Sequence, residues 1–227
     1  MSAPARTGVV VAIDGPSGSG KSSTSRGVAT RLGLRYLDTG AMYRAITWWM
    51  LRHQVPVDDP AAVAARCDEP VIVSGTDPAA PTITVDDIDV AAAIRTPEVT
   101  GAVSAVSAVP QVRARLLGLQ REAISGAAAE GGIVVEGRDI GSVVAPDADV
   151  KVYLTADAAA RAARRAAEEG GSDLAATESS LLARDRIDST RTTSPLTKAD
   201  GAVHLDTTPY TLEEVVDLIV GLVEESA

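Results

Sequence analysis

Residues 9–32 read VVVAIDGPSGSGKSSTSRGVATRL, and this stretch decides the fold. Val9 to Ile13 is a short apolar, β-branched run that predicts a buried strand. Residues 15–22 then fit the pattern G-x-x-x-x-G-K-[ST]. Lys21 to Leu32 predicts a helix that ends at Gly33. A strand, a glycine-rich loop and a helix in this order predict a phosphate-binding loop, or P-loop.

The chemistry of the P-loop follows from its backbone. Glycines let successive amides turn toward one point, and the helix N-terminus adds a partial positive charge. Lys21 can reach the β- and γ-phosphates of ATP, and the Ser22 hydroxyl can join the shell of Mg²⁺. The alternative is a glycine-rich turn that only connects strand to helix. The predicted ATP-binding residues are Gly15, Pro16, Ser17, Gly18, Ser19, Gly20, Lys21, Ser22 and Ser23.

Four further apolar runs predict the rest of a parallel sheet, at residues 35–37, 133–136, 150–154 and 202–205. Helical patterns at 41–54, 157–169 and 178–190 lie between or after them. A last helix begins at a capping box formed by Thr211 and Glu214. The sequence therefore predicts an α/β fold of the P-loop NTPase type, with a five-stranded parallel sheet flanked by helices.

Two segments stand apart from this pattern. Between Pro56 and Pro97, three short extended runs separated by Gly, Asp and Pro predict a small antiparallel β insert. The polar stretch between Gly170 and Thr177 predicts a mobile, helix-flanked lid.

The composition of the chain limits the classes of function and partner that we expect. The formal net charge of the 227 residues is −10, which opposes the counterion release that holds DNA or RNA, so we expect no polynucleotide partner. Arginine greatly outnumbers lysine, and its guanidinium fork suits phosphate. No apolar run approaches the roughly 18 residues of a membrane helix, so we expect no membrane contact and a cytoplasmic location. Cys67, the only cysteine, is expected to be a small buried residue.

A few other residues could indicate a different function. Thr197-Lys198-Ala199-Asp200 fits the [NT]-K-x-D pattern of guanine-specific switch proteins. It precedes a predicted strand instead of following one, and we interpret it as a solvated loop. His53 and His204 are interpreted as surface or packing residues.

Five charged segments are predicted to lie where loops leave the strands, which is the crevice where open α/β sheets bind ligands. They span residues 38–44, 94–99, 104–113, 136–141 and 184–191. Together with the P-loop and the short-strand insert, this set resembles bacterial cytidylate (CMP) kinases over essentially the whole chain. The resemblance implies ATP-dependent phosphorylation of CMP and dCMP with Mg²⁺, by a monomer whose partners are these small nucleotides.

The resemblance also implies one domain over residues 1–227. Its core would comprise residues 8–40, 100–156 and 192–227. Residues 41–99 would form the monophosphate-binding region with the β insert, and residues 157–191 the lid.

Residue roles follow from the same resemblance. The catalytic set would be Lys21, Arg138, Arg161, Arg165 and Arg191, with Arg164 added to the ATP site. The residues implied to bind CMP are Thr39, Tyr43, Arg44, Ser104, Arg113, Arg138, Asp139, Arg184, Asp188 and Arg191. Thr39 stands where a serine is commoner in the family and keeps the hydroxyl. The connection between Gly170 and Thr177 is short beside the family, which leaves the detailed lid contacts open.

Several of these residues have simpler interpretations. Asp139 could cap a helix, and Arg113 with Arg115 could form a solvated face. The basic face of residues 161–165 could be balanced by Glu168 and Glu169 in solvent. Asp14 and Asp38 could order magnesium waters or serve only in turns. Two rival functions also remain: a kinase for UMP or a hydroxylated metabolite, and a nucleotide-dependent switch protein.

Overall fold

The structure is a computed structural model that describes residues 8–168, 173–190 and 194–226. Its strands are β1 (Val9–Asp14), β2 (Arg35–Asp38), β3 (Ile72–Ser74), β4 (Ile83–Val85), β5 (Ile88–Asp89), β6 (Gly132–Gly137), β7 (Val150–Thr155) and β8 (Val203–Asp206). Its α-helices are α1 (Lys21–Leu32), α2 (Thr39–Arg52), α3 (Pro60–Arg66), α4 (Pro97–Ser107), α5 (Pro110–Ala129), α6 (Ala158–Glu168), α7 (Leu174–Thr190) and α8 (Leu212–Ser226). A π-helical turn spans Ile140–Val144.

Within the described residues, the main sheet has five parallel strands in the order β2-β6-β1-β7-β8. The five predicted strands are confirmed: β1, β2 and β7 are longer by one residue, β6 is longer by one residue at each end, and β8 is shifted by one. β1 and β6 lie side by side at the centre and are almost entirely buried, which explains why they are continuous apolar runs instead of alternating ones.

Each face of the sheet buries its own apolar cluster. On one face, α1 and α8 contribute Val28 and Ile219, which pack with Val11 and Val152 of the strands. On the other face, α2, α4 and α5 contribute residues such as Ile46, Val106 and Leu116. The sheet is therefore covered on both sides, and only the strand ends remain available for a site.

Local sequence sets the ends of several elements. α1 begins at Lys21 and ends at Gly33, whose φ of 66° is the left-handed conformation that suits a C-terminal glycine. Before α8, the Thr211 amide donates to the Glu214 carboxylate (2.8 Å) and the Glu214 amide donates to the Thr211 hydroxyl (3.3 Å). The predicted capping box is therefore confirmed.

The insert is confirmed as a three-stranded antiparallel sheet, β3-β4-β5. Asp86 and Asp87 turn between β4 and β5 with φ of 50° and 64°, the positive angles that two-residue hairpin turns require. Trp49 of α2 is buried, and its indole nitrogen donates to Asp86 (2.9 Å). This contact joins the insert to the helix that follows β2.

Helices account for most of the errors in the prediction. No helix was predicted at α3, α4 or α5, yet each begins with a proline in its first turn, Pro60, Pro97 or Pro110. Proline at this position costs no hydrogen bond, so these residues mark helix starts and not turns. Most of residues 104–113 and all of residues 184–190 consequently lie on helices α4, α5 and α7, and residues 97–99 begin α4. The placement of these segments in loops that leave strands was therefore wrong.

The helix predicted at 178–190 begins earlier, at Leu174, so the described end of the predicted lid stretch is helical. Glu169 to Ser172 lie outside the described residues. No helix within the described ranges is both long and apolar enough to cross a membrane.

Candidate nucleotide site

A cavity of about 520 Å³ opens at the carboxyl ends of β1, β2 and β6. Parallel strands direct their following loops to this edge of the sheet. Most of the predicted site residues line the cavity: Ser17, Gly18, Gly20, Lys21, Ser22, Ser23, Thr39, Tyr43, Arg44, Ser104, Arg113, Arg138, Asp139, Arg165, Arg184 and Asp188. Gly15, Pro16, Ser19, Arg161 and Arg164 are not among the lining residues, and Arg191 falls outside the described residues.

Residues 15–22 form what we call the loop end of the cavity. Gly15 has φ of 152°, and a Cβ there would lie 2.1 Å from the Leu154 carbonyl oxygen, so a side chain is excluded. Gly20 precedes α1 with φ of 86°. The hydroxyl of Ser19 is buried without a hydrogen-bond partner. A backbone held this tightly, with an unsatisfied donor, fits an anion better than it fits a plain connecting turn.

Lys21 is buried at the start of α1, and its ammonium donates to the Pro16 carbonyl (2.7 Å). Burial and the nearby Arg138 lower the pKa of Lys21. The ammonium group is therefore poorly solvated and lies inside the turn of the loop. A phosphate bound there would stabilise its positive charge.

Glu136, near the end of β6, is a site residue to which the sequence motifs assign no role. Its carboxylate accepts hydrogen bonds from the Ser22 hydroxyl (3.0 Å) and from the Tyr36 hydroxyl. Burial and Asp38 raise its pKa. Its position in the chain could have indicated this role. Glu136 lies near the end of a strand that pairs in parallel with β1, and the P-loop directly follows β1.

Arg113 and Asp139 form a buried ion pair, with 2.5 Å between Arg113 Nη2 and Asp139 Oδ2. The exposed fractions are only 6% and 5%. Arg113 also donates to the Ser107 carbonyl (3.2 Å) and lies 5.3 Å from the ring centroid of Tyr43. Asp139 makes no side-chain capping bond to its own turn. Both simpler interpretations, a capping aspartate and a solvated arginine face, are therefore wrong.

Arg115, the other arginine of that proposed face, is directed away from the cavity. It donates to the carbonyls of Cys67 and Pro70. Cys67 is buried, as expected.

Arg138 joins the two ends of the cavity. Its Nε donates to Asp188 of α7 (2.8 Å), and its Nη1 donates to the Gly15 carbonyl (2.6 Å). The first contact lies among the arginines and the second lies in the P-loop. Arg138 is thus fixed between them.

Arg44 and Arg184 lie in the arginine-rich wall opposite the loop. Arg44 donates to the Ile94 carbonyl (3.1 Å) and the Thr100 hydroxyl (2.9 Å). Burial and Arg184 lower the pKa of Arg44 to about 10. Burial and Arg138 lower the pKa of Arg184, and the buried Nε of Arg184 has no partner. We call the wall formed by Arg44, Arg113, Arg138, Asp139, Arg184 and Asp188 the arginine end.

The charge of the cavity is opposite to that of the protein. Its lining carries eight cationic side chains and four carboxylates among the described residues. Arg26 and Arg95 belong to this set although the sequence analysis gave them no role. An excess of cations in a chain of net charge −10 marks a local anion site.

The three arginines of α6 make different contacts. Arg161 is buried and donates to the Ser17 carbonyl (3.0 Å) and to Asp185 of α7. Arg164 donates to the hydroxyl (2.9 Å) and the carbonyl (2.8 Å) of Thr207. Arg165 lines the cavity. The interpretation of this face as solvated is therefore wrong for Arg161.

The remaining predicted residues are placed as follows. Thr39 is buried and donates to the Glu136 carbonyl (2.7 Å), and Ser104 is buried in the wall of the cavity. Asp14 accepts from the amides of Ile140 and Gly141 and so acts in a turn. Asp38 caps α2 through the Ala41 amide (2.9 Å) and also lines the cavity.

The motifs that suggested other functions lie away from the cavity. Residues 197–200 form a loop before β8, as interpreted from the sequence. His53 stacks on Trp49 with 3.9 Å between the ring centroids, and His204 contacts the Thr155 hydroxyl (2.8 Å).

The fold and the cavity together define a P-loop α/β protein with a two-ended, cationic nucleotide-type site. The model of one protein family, described as cytidylate kinase, matches residues 11–225. The chain belongs to the cytidylate kinase family.

Curated relatives agree with that assignment. The cytidylate kinase of Streptomyces griseus is 63% identical over 97% of this chain and 94% of the relative. That of Nocardia farcinica is 55% identical over 93% and 91%, and that of Corynebacterium glutamicum is 48% identical over 97% and 96%. The solved structure of an uncharacterised protein from Eubacterium ventriosum superposes with a TM-score of 0.53 over 96% of this chain and 98% of that one. At 10% identity it supports the fold alone.

Proposed function

We propose that this protein transfers the γ-phosphoryl group of ATP to CMP and dCMP, which yields CDP and dCDP. The observation that carries the proposal is one cavity with a P-loop at one end and the buried Arg113–Asp139 pair at the other. Family membership supports the same reaction.

The loop end would hold the donor. The amides of residues 18–22 and the N-terminus of α1 would surround the β-phosphate, and Lys21 would exchange its bond to Pro16 for the β- and γ-phosphates. The buried, unpartnered Ser19 hydroxyl is a further donor for this group. Ser23 lines the same end of the cavity.

The arginine end would select the base of the acceptor. Cytosine presents an amino group at N4 and acceptors at N3 and O2, so a carboxylate and a guanidinium side by side are complementary to it. Uracil presents a carbonyl at O4 instead. A buried Asp139 facing O4 would lack a donor, which costs about 1–3 kcal/mol or more for a charged group. We therefore expect a preference for CMP over UMP.

The acceptor phosphate would lie between the base pocket and the P-loop. Arg44 and Arg138 line the cavity and are proposed to hold this phosphate, and Arg191, outside the described residues, is proposed to act with them. Arg184 and Asp188 are proposed to contact the ribose, and Tyr43 to line its pocket. The buried, unpartnered Nε of Arg184 supports such a contact.

Magnesium fits this site as a companion of ATP. No group of three or more His, Cys, Asp or Glu side chains in the described ranges is arranged to hold a metal by itself. Ser22, with Glu136 behind it and Asp38 in the same lining, supplies the oxygen donors that Mg²⁺ prefers. When bound, the ion neutralises phosphate charge during transfer.

The protein's part in catalysis is positioning and charge neutralisation. A phosphate monoester is mostly dianionic near pH 7, so the acceptor needs no general base. Lys21, Arg138 and Arg165 would face the charge that spreads over the transferred oxygens. Arg161, bonded to the P-loop carbonyl at Ser17, and Arg164, bonded to Thr207, would hold the loop until the phosphates arrive.

The organisation of the chain is part of the proposal. We propose a single domain with its core at 8–40, 100–156 and 192–227, a monophosphate-binding region at 41–99 and a lid at 157–191 that closes to exclude water. We further propose a cytoplasmic monomer that acts on small nucleotides and on no polynucleotide.

An acceptor panel tests the function. Purified protein with ATP and Mg²⁺ is offered CMP, dCMP, UMP, AMP or shikimate, and the phosphorylated product of each acceptor is measured: a diphosphate from each nucleotide, a monophosphate from shikimate. We expect CDP and dCDP at enzyme-like turnover, with UMP far behind. Equal use of UMP would refute the base-reading role of Asp139 and Arg113. Tight GTP binding with slow hydrolysis and no acceptor product would support a switch protein instead.

A further inference from the structure

A buried aspartate outside the cavity lining holds the turn that carries Asp139. Asp14 is 3% exposed, and its two carboxylate oxygens accept the amides of Ile140 and Gly141, each at 2.8 Å. These are the first two amides of the π-helical turn that follows β6. The turn is therefore capped by a residue from a different strand.

Asp139 occupies the position from which an aspartate normally caps its own helical turn. Such a side chain usually accepts the amide two or three residues further on, here Gly141 or Ser142. The Gly141 amide is already bonded to Asp14, and the Asp139 carboxylate is bonded instead to Arg113. One carboxylate thus does the capping while the other is directed into the cavity.

We propose that Asp14 is a positioning residue for base selection: by capping the turn in place of Asp139, it leaves the Asp139 carboxylate available to the acceptor base. The proposal rests on the base-reading role proposed above for Asp139.

The position of Asp14 in the chain adds a second constraint. Asp14 is directly followed by Gly15, whose carbonyl accepts Arg138 Nη1 (2.6 Å). The end of β1 therefore fixes both Arg138 and Asp139, one through a carbonyl and the other through a carboxylate. Asp139 is thereby held at a fixed position relative to the P-loop, which begins at Gly15, directly after Asp14.

The test is Asp14→Asn, which preserves size. One side-chain oxygen can still accept an amide, but the new NH₂ group faces the other amide donor. Asp139 is then expected to turn back toward its own turn. The ratio of kcat/KM for CMP to that for UMP should fall about tenfold or more, as for the loss of a bond to a charged group. KM for ATP should change by less than about twofold, a split that general destabilisation does not produce.

The matched control is Asp149→Asn. Asp149 also accepts an amide of β1, that of Val10 (2.7 Å), but at the opposite end of the strand. Its replacement makes the same change of chemical group at an acceptor for a β1 amide far from the cavity, and it should leave the CMP to UMP ratio unchanged.

A double-mutant comparison separates this inference from the proposed function. Asp139→Asn alone should lower the selectivity ratio, and adding Asp14→Asn to it should lower the ratio no further. An unchanged ratio in Asp139→Asn would refute the proposed base-reading role. If Asp139→Asn lowers the ratio and Asp14→Asn does not, or if the two effects add, the role of Asp14 is refuted. Should Asp14→Asn fail to fold, Asp14→Ser, which is smaller and keeps one acceptor, takes its place in the same comparison.

Discussion

The loop end of the cavity consists of eight consecutive residues, whereas the arginine end takes its side chains from α2, α5, α7 and the turn after β6. The loop end offers mainly backbone amides, oriented by glycines and by the start of α1. The arginine end offers guanidinium and carboxylate groups, fixed by pairs such as Arg113–Asp139 and Arg138–Asp188. A backbone site needs only local sequence, while a side-chain site needs several helices to be correctly packed.

The two ends also differ in what they should control. Every acceptor depends on the same donor phosphates, so damage to the loop end should be independent of the acceptor. Apart from Arg138, which also bonds to the P-loop, the arginine end is proposed to contact only the acceptor, so damage to its base-reading pair should depend on the base. Three predictions, in order of decreasing effect, test this division.

Lys21→Ala should give the largest effect. Removing the buried cation from the loop end should lower kcat by about 10²–10³-fold or more with CMP, dCMP and UMP alike, since one preorganised electrostatic contact contributes this much. Steady-state assays with each acceptor measure it.

Lys198→Ala is the matched control, because Lys198 is an exposed lysine in the 197–200 loop. Its turnover should be unchanged, and its nucleotide preference should also be unchanged because this loop reads no guanine. Retained turnover in Lys21→Ala would overturn the role of the P-loop itself.

Asp139→Ala should give the next effect, confined to the acceptor. We expect kcat/KM for CMP to fall about 10²-fold, because the N4 contact is lost and Arg113 is left buried without its partner. The affinity for ATP, measured by calorimetry, should stay within about twofold.

Circular dichroism and thermal melts establish that the Asp139→Ala variant is folded, and Asp139→Asn provides a comparison of unchanged shape. CMP kinetics like those of the wild type would contradict the division between the two ends. An equal loss of ATP affinity would indicate a general disturbance of the cavity.

The smallest effect is expected at Asp14, where the two ends meet. Burial, followed by the like charge of Asp139, raises the native pKa of Asp14 from 3.8 to about 6. Between these values the native protein binds a proton that the unfolded chain does not, so this carboxyl makes folding more favourable as pH falls. Asp14→Asn lacks this titration.

The difference in unfolding free energy, wild type minus Asp14→Asn, should therefore increase by about 1 kcal/mol from about pH 7 to about pH 5. Urea denaturation of both proteins at each pH measures it, with Asp149→Asn, the same substitution near the other end of β1, as the reference. A difference that does not vary with pH would show that Asp14 keeps an ordinary pKa.

Sequence alone predicted the sheet and the P-loop well, for a physical reason. β1 and β6 are buried almost throughout in a parallel sheet, and β7 is buried at alternate residues, so their apolar runs stand out, and the P-loop motif is contiguous. The same reasoning missed α4 and α5, since it placed segments 94–99 and 104–113 in loops although Pro97 and Pro110 within them begin helices. It also left Glu136 without a role, because its contacts to Ser22 and Tyr36 bridge 114 and 100 positions of the chain.

The sequence by itself determined the α/β class, the P-loop with Lys21 and Ser22, the antiparallel insert and, through resemblance, the family. These features depend on hydrophobic periodicity and on residues adjacent in the chain. Only the tertiary structure decided that Asp139 pairs with Arg113 instead of capping its own turn, that Arg161 is bonded to the P-loop, and that Asp14 holds the turn after β6. A carboxylate or guanidinium can bond to any partner in reach, and the packing of distant elements determines which partner that is.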